Sequence, residues 1–115
     1  MMDTLEKLKK NYQFKKIYNE GRYYAEEFLV LYVIKNRSNI NKIGYSVSKK
    51  IGNSVKRNRV RRLLRENFRK VGLNLKTGHD MIFTARASSS RANYKDIERC
   101  MLSALKRARI LKEEI

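Results

Sequence analysis

The sequence holds no proline, no tryptophan, one cysteine, one histidine and only five glycines in 115 residues. Each scarcity excludes something. Without proline, Gly/Ser-rich stretches, repeats or low-complexity segments there is no linker, so residues 1–115 read as one domain. That length supports one hydrophobic core and is short for two. Cys100 has no second cysteine to pair with, and it cannot build a zinc site with His79 as the single histidine. No apolar run approaches the ~18 residues of a membrane span. The opening Met1-Met2-Asp3-Thr4-Leu5-Glu6 lacks the basic-then-apolar order of a signal peptide. A cytoplasmic, reduced protein without structural metal is the expectation. Acids are also few: 11 Asp and Glu face 28 Lys and Arg, for a net charge of +17. A polyanionic partner is therefore expected, nucleic acid first and an anionic membrane surface second.

What is present reads as alternating helices and strands. Residues 1–10 carry little pattern and are expected to fray or to be ordered by a partner. Asn11 reads as a helix N-cap, with Phe14, Ile17 and Tyr18 on one face and Gly21 as the stop. Residues 28–35 form a continuous apolar run and 42–49 alternate, with Ile43, Tyr45 and Val47 on one side. Joined by the turn at 36–42, these two runs are expected to pair as an antiparallel hairpin. Gly52-Asn53-Ser54 opens a long helix to about Val71, closed by Gly72, and 80–86 form a further strand. Asn93 and Asp96 cap a last helix whose stripe is Tyr94, Ile97, Met101, Ala104, Leu105, Ala108 and Leu111. The order α-β-β-α-β-α predicts an α+β domain, a small mixed sheet carrying three helices.

Residues 49–70 concentrate the charge. They hold ten basic residues and one acid, Glu66, or +9 of the +17. On the helix that begins here, Val60, Leu63, Leu64, Phe68 and Val71 share one side, and Arg59, Arg61, Arg62, Arg65, Arg69 and Lys70 occupy the other. A merely solvated face alternates signs to gain i,i+4 pairs, whereas this one sets like charges at 57/61/65. Lys56, Arg57 and Arg59 also lie in the first turns, where the helix dipole disfavours cations. Local rules broken without internal compensation point to an external anion. Arginine's planar fork suits phosphate, and Phe14, Tyr18 and Tyr32 offer stacking surfaces for unpaired bases, with core packing as their other reading. RNA with a single-stranded element is preferred to duplex DNA, since an Arg-coated helix reads base edges poorly. A membrane role is weaker, because the apolar side of the helix is needed by the core.

Catalysis by the chain itself lacks its parts. His79, between Gly78 and Asp80, reads as a turn residue, and a second histidine for acid–base work is missing. The acids are scattered: Glu26-Glu27 and Glu113-Glu114 read as solvated ends, with no carboxylate pair for a metal cage. Cys100 borders the apolar stripe of the last helix and reads as a small buried hydrophobe.

The run KKIGNSVKRNRVRRLLRENF, centred on Arg57-Asn58-Arg59 and preceded by Ser46-Val47-Ser48, resembles the signature of the protein subunit of bacterial ribonuclease P. Weaker similarity extends over 8–21, 28–35 and 80–86. The resemblance implies an α+β domain with the Arg-rich helix in a left-handed β-α-β crossover. It implies a protein that is inert alone and assists a catalytic RNA, which uses Mg²⁺ to cleave the 5′ leader from precursor tRNA. No cofactor is bound by the protein itself. By position, Lys49, Lys50, Lys56, Arg57, Asn58, Arg59, Arg61, Arg62 and Arg65 would meet the catalytic RNA. Phe14, Tyr18 and Tyr32 would line a cleft for the single-stranded leader. The competing reading is a structural RNA-binding protein, such as a ribosomal protein or an rRNA-assembly chaperone.

Overall fold

The computed structural model describes residues 5–112. They form β1 (Leu5–Lys7), α1 (Asn11–Glu20), β2 (Arg22–Ala25), β3 (Leu29–Lys35), β4 (Asn41–Ser46), α2 (Ser54–Val71), β5 (His79–Ala85) and α3 (Tyr94–Arg107). Short 3-10 turns cover Lys49–Ile51, Gly72–Asn74 and Ala87–Arg91. Three helices on a mixed sheet match the expected α+β architecture. The sheet has five strands in the order β1-β4-β5-β3-β2.

Strand β5 is central because of its composition. Met81, Ile82 and Phe83 are all fully buried, so the strand needs cover on both faces and partners on both edges. It pairs antiparallel with β3 and parallel with β4. The expected β3–β4 hairpin is therefore absent, and the two strands flank β5 instead. The connection between them crosses the start of β5 and is held there by polar side chains. The backbone N–H of Asn36 donates to the Gly78 carbonyl at 2.9 Å. The His79 N–H donates to Asn41 Oδ1 at 2.9 Å, and Asn41 Nδ2 donates to the Lys76 carbonyl at 3.0 Å. A turn that satisfies its backbone by bridging a third strand has no hairpin signature of its own.

Two edge strands were not expected. Leu5–Lys7 adds to β4 in parallel and Leu8 is buried, so the chain is paired and packed from Leu5; residues 1–4 lie outside the described residues. Strand β2 adds antiparallel to β3. Its Arg-Tyr-Tyr-Ala sequence is mostly exposed and lacks apolar alternation, so nothing in its periodicity marks it. Helix α1 begins one residue away from expectation, with Lys10 at the N-cap and Asn11 inside the first turn.

The two faces of the sheet carry different helices. Leu29, Leu31, Val33, Ile43, Met81 and Phe83 face α2 and α3, meeting Val60, Leu64, Phe68, Ile97, Met101 and Leu105. Phe68 lies at the centre, its ring 5.6 Å from Phe83 and 6.5 Å from Tyr45. Burial of each such side chain contributes about 1.5–3 kcal/mol. The opposite face buries Ile82 against Leu8 and Ile17, with Phe14, Tyr32 and Ile34 partly covered. Helix α1 crosses this face without filling it.

Both longer helices start as their caps predict. Asn53 Oδ1 accepts from the Lys56 N–H at 3.0 Å, and Gly72 closes α2. Asn93 and Asp96 exchange side-chain bonds in a capping box, each at 2.9 Å. The apolar stripe of α3 ends at Leu105; Leu111 lies past the helix and bridges to Leu75. Glu26 is not a solvated end. It accepts from Arg107 Nη1 at 2.6 Å and from the Ser103 hydroxyl at 3.0 Å, which ties α3 to the β2–β3 connection. Glu113-Glu114 lie outside the described residues.

Candidate nucleic-acid interface

Helix α2 packs one side on the core and turns the other outward. Val60, Leu64, Phe68 and Val71 are buried as expected, joined by Asn67, whose Nδ2 donates to the Leu63 and Tyr94 carbonyls. The outward cations divide by partner. Arg57 Nη1 donates to the Gly52 carbonyl at 2.8 Å, and Arg61 Nη1 to Asn58 Oδ1 at 2.9 Å. Arg59 Nη2 donates to the Ala92 carbonyl at 2.6 Å, which fastens the helix to the segment before α3. Lys70 pairs with Glu98 at 3.2 Å. Lys49 and Lys50 lie exposed on the 3-10 turn that leads into the helix, and Lys56 is exposed in its first turn.

Arg62, Arg65 and Arg69 differ from the other arginines of the helix: their side chains make no ion pair or hydrogen bond among the described residues. They rim a cleft of about 480 Å³ between α2 and the β1–β4 edge, which Tyr45, Phe68 and the carboxylates Glu6 and Glu66 also line. Burial pushes the Tyr45 phenol above its ordinary value, while Arg65 and Arg69 act in the opposite direction. So the basic face contains a structural part, anchored by Arg57 and Arg59, and a part with open guanidinium forks.

The aromatic residues gather on the opposite face of the sheet. The rings of Tyr18 and Tyr32 meet edge to face at 4.7 Å, and the Tyr18 hydroxyl lies 3.0 Å from Thr84 Oγ1. Tyr23, 67% exposed, stands 6.0 Å from Tyr32. It faces Tyr32 across the β2–β3 pairing and extends the groove beyond the residues read from sequence. Its signal was the strand β2, which periodicity did not show. Phe14 is half-buried and fills the floor, so it serves core and groove together. Its seat depends on Gly44, where a Cβ would lie 2.7 Å from two Phe14 ring carbons. Ser46 pairs in register with Thr84, so the groove runs along β4 toward Lys49, Lys50 and the start of α2. A single strand laid in it meets aromatic faces and hydroxyls first, then cations.

Other reactive groups stand apart. Cys100 is buried in the α3 stripe, as its position predicted. His79 is the first residue of β5 rather than a turn residue. Among the described residues, no three of His, Cys, Asp and Glu converge as metal ligands, and no helix is long and apolar enough to cross a membrane.

Comparison with known proteins bears on the family and the fold. The sequence profile of the family described as Ribonuclease P matches residues 2–109. A ribonuclease P protein component from Clostridium botulinum (strain Langeland) is 50% identical over 105 residues, covering 90% of this chain and 95% of the relative. The structure of the Staphylococcus aureus RNase P protein superimposes with a TM-score of 0.84 at 33% identity, covering 92% of this chain and 97% of that one. The RNase P protein from Thermotoga maritima superimposes with a TM-score of 0.80 at 28% identity, covering 89% and 96%.

Proposed function

The chain belongs to the ribonuclease P protein family, and from that premise we propose that α2 binds the catalytic RNA while the aromatic groove holds the single-stranded 5′ leader of precursor tRNA. As a ribonuclease P protein component it is part of an endoribonuclease holoenzyme with an RNA partner. The observation that carries the proposal is the pair of guanidinium forks at Arg62 and Arg65, which make no ion pair or hydrogen bond among the described residues although Glu6 and Glu66 line the same cleft. Forks of this kind suit bidentate phosphate contacts. Lys49, Lys50, Lys56, Arg57, Asn58 and Arg61 extend that surface, and Arg59 positions it through its bond to the Ala92 carbonyl.

In the groove, Tyr18, Tyr23 and Tyr32 stack leader bases over the ring of Phe14, and the Thr84 and Ser46 hydroxyls offer hydrogen bonds to the sugar-phosphate chain. Stacking of this sort is available to the substrate and lost by the product, which has no leader. The protein thereby favours precursor over mature tRNA without touching the scissile bond. Mg²⁺ supplies the holoenzyme's hydrolytic chemistry. The RNA holds the ion in this reading, and no step is assigned to a protein residue. In this reading the protein acts by neutralising and positioning, is inert alone, and works in the cytoplasm.

A precursor tRNA with 4-thiouridine in its leader tests the placement in the assembled holoenzyme. Irradiation is expected to join the leader to peptides containing Phe14 and Tyr18, or Tyr23 and Tyr32. Adducts confined to α2 would reverse the assignment of the two surfaces.

A further inference from the structure

At the far end of the sheet from the start of α2, a recess of about 960 Å³ opens between the β3–β4 connection, the start of β5 and the turn after α3. Arg22, Lys35, Arg37, Lys76, Arg107 and Arg109 line it, and no acid does. Arg107 is paired with Glu26, and Glu20 lines an adjoining hollow beside Arg22 and Lys35. The side chains of Arg22, Lys35, Arg37, Lys76 and Arg109 have no ion pair or hydrogen bond among the described residues. His79 also lines the recess; burial holds its imidazole below the ordinary value, and Lys35 and Lys76 act the same way against the Lys76 backbone and Asp80.

The backbone sharpens the case. Among the described residues, Arg37 (φ 59°) and Arg109 (φ 61°) are the non-glycine positions in the left-handed region. Arg109 sits in the turn that ends α3, where its N–H donates to the Lys106 carbonyl and the Ile110 N–H to the Leu105 carbonyl. That is the position where glycine is ordinarily found. Both turns thus accept strain that glycine would relieve, and both aim an arginine at one concavity.

We propose that this recess is a second phosphate site, occupied by the backbone of a segment of the holoenzyme's RNA other than the one on α2. The inference rests on the RNA-binding reading above. The length of β5 puts roughly 20 Å between the recess and the first turn of α2, where Lys56 and Arg57 lie. A concave recess rich in guanidinium forks suits a phosphodiester chain, whereas a lipid surface is met by a convex amphipathic face.

Arg37→Gly with Arg109→Gly removes two charges at positions that favour glycine, so the fold is retained and Tm is unchanged or higher. Assembly of the full protein with a bacterial ribonuclease P RNA, titrated from 50 to 200 mM salt, is expected to weaken roughly tenfold at the upper end. The log–log salt slope becomes shallower by about 1.5. Arg62→Ala serves as the parallel arm. If the glycine pair leaves slope and affinity unchanged while Arg62→Ala lowers both, the recess binds no RNA and the proposal fails alone. If neither variant changes them, the assignment of α2 fails as well, and the recess proposal falls with it.

Discussion

Arg62→Ala combined with Arg65→Ala is expected to weaken assembly with the catalytic RNA by tenfold or more at physiological salt and to flatten its salt dependence. The physical basis is counterion release. A protein that neutralises six to ten phosphates loses roughly 10³–10⁵ in affinity between 50 and 200 mM salt, and each contact removed lowers the log–log slope by about 0.7–0.9. These two guanidiniums bond to nothing within the described fold, so truncating them removes external contacts and leaves stability within about 0.5 kcal/mol. Arg59→Ala gives the instructive contrast. Its fork is bonded to the Ala92 carbonyl, so its loss also lowers unfolding stability, by about 1.5 kcal/mol. Equilibrium binding across a salt series, with urea unfolding of the free proteins, separates the two behaviours. An unchanged slope for the Arg62/Arg65 variant contradicts phosphate contact there.

Tyr18→Ala and Tyr23→Ala are each expected to reduce holoenzyme affinity for leader-bearing precursor tRNA and to leave mature tRNA binding as it was. Each stacked base contributes about 1–3 kcal/mol, so the expected loss per tyrosine is roughly 5–150-fold. Phe14→Ala shows the same selectivity with an added stability loss, because its ring also packs on Leu8, Ile17 and Ile82. Gly44→Ala reproduces the Phe14 phenotype with the ring still present. The added methyl occupies space that two ring carbons hold now, and the backbone beneath it is a paired strand that cannot retreat. Binding measured with matched precursor and mature tRNAs decides the matter. Equal losses for both substrates contradict a leader site in this groove.

The basic helix and its caps were legible because their causes are local. Asn53, Gly72, Asn93 and Asp96 act within a turn of their own positions, and the split between Val60, Leu64 and Phe68 on one side and the arginines on the other follows from helical period alone. The sheet order was not legible. Whether β3 pairs with β4 or with β5 depends on which strand must be buried on both faces, and that is set by helices far away in sequence. Strand β2 escaped notice for a related reason: an exposed edge strand needs no alternation. Tyr23 was missed with it, although it stands beside Tyr32 once the strand is placed. The division of the arginines into anchoring and open groups was equally out of reach, since the carbonyl that Arg59 meets lies 33 residues along the chain.

Cleavage of a 5′-leader precursor tRNA by a bacterial ribonuclease P RNA at low Mg²⁺, with and without this protein, tests the central claim most directly. The expected result is strong acceleration by the protein, with no cleavage by the protein alone. Tight, salt-sensitive RNA binding without any acceleration would contradict the account and favour a structural RNA-binding role.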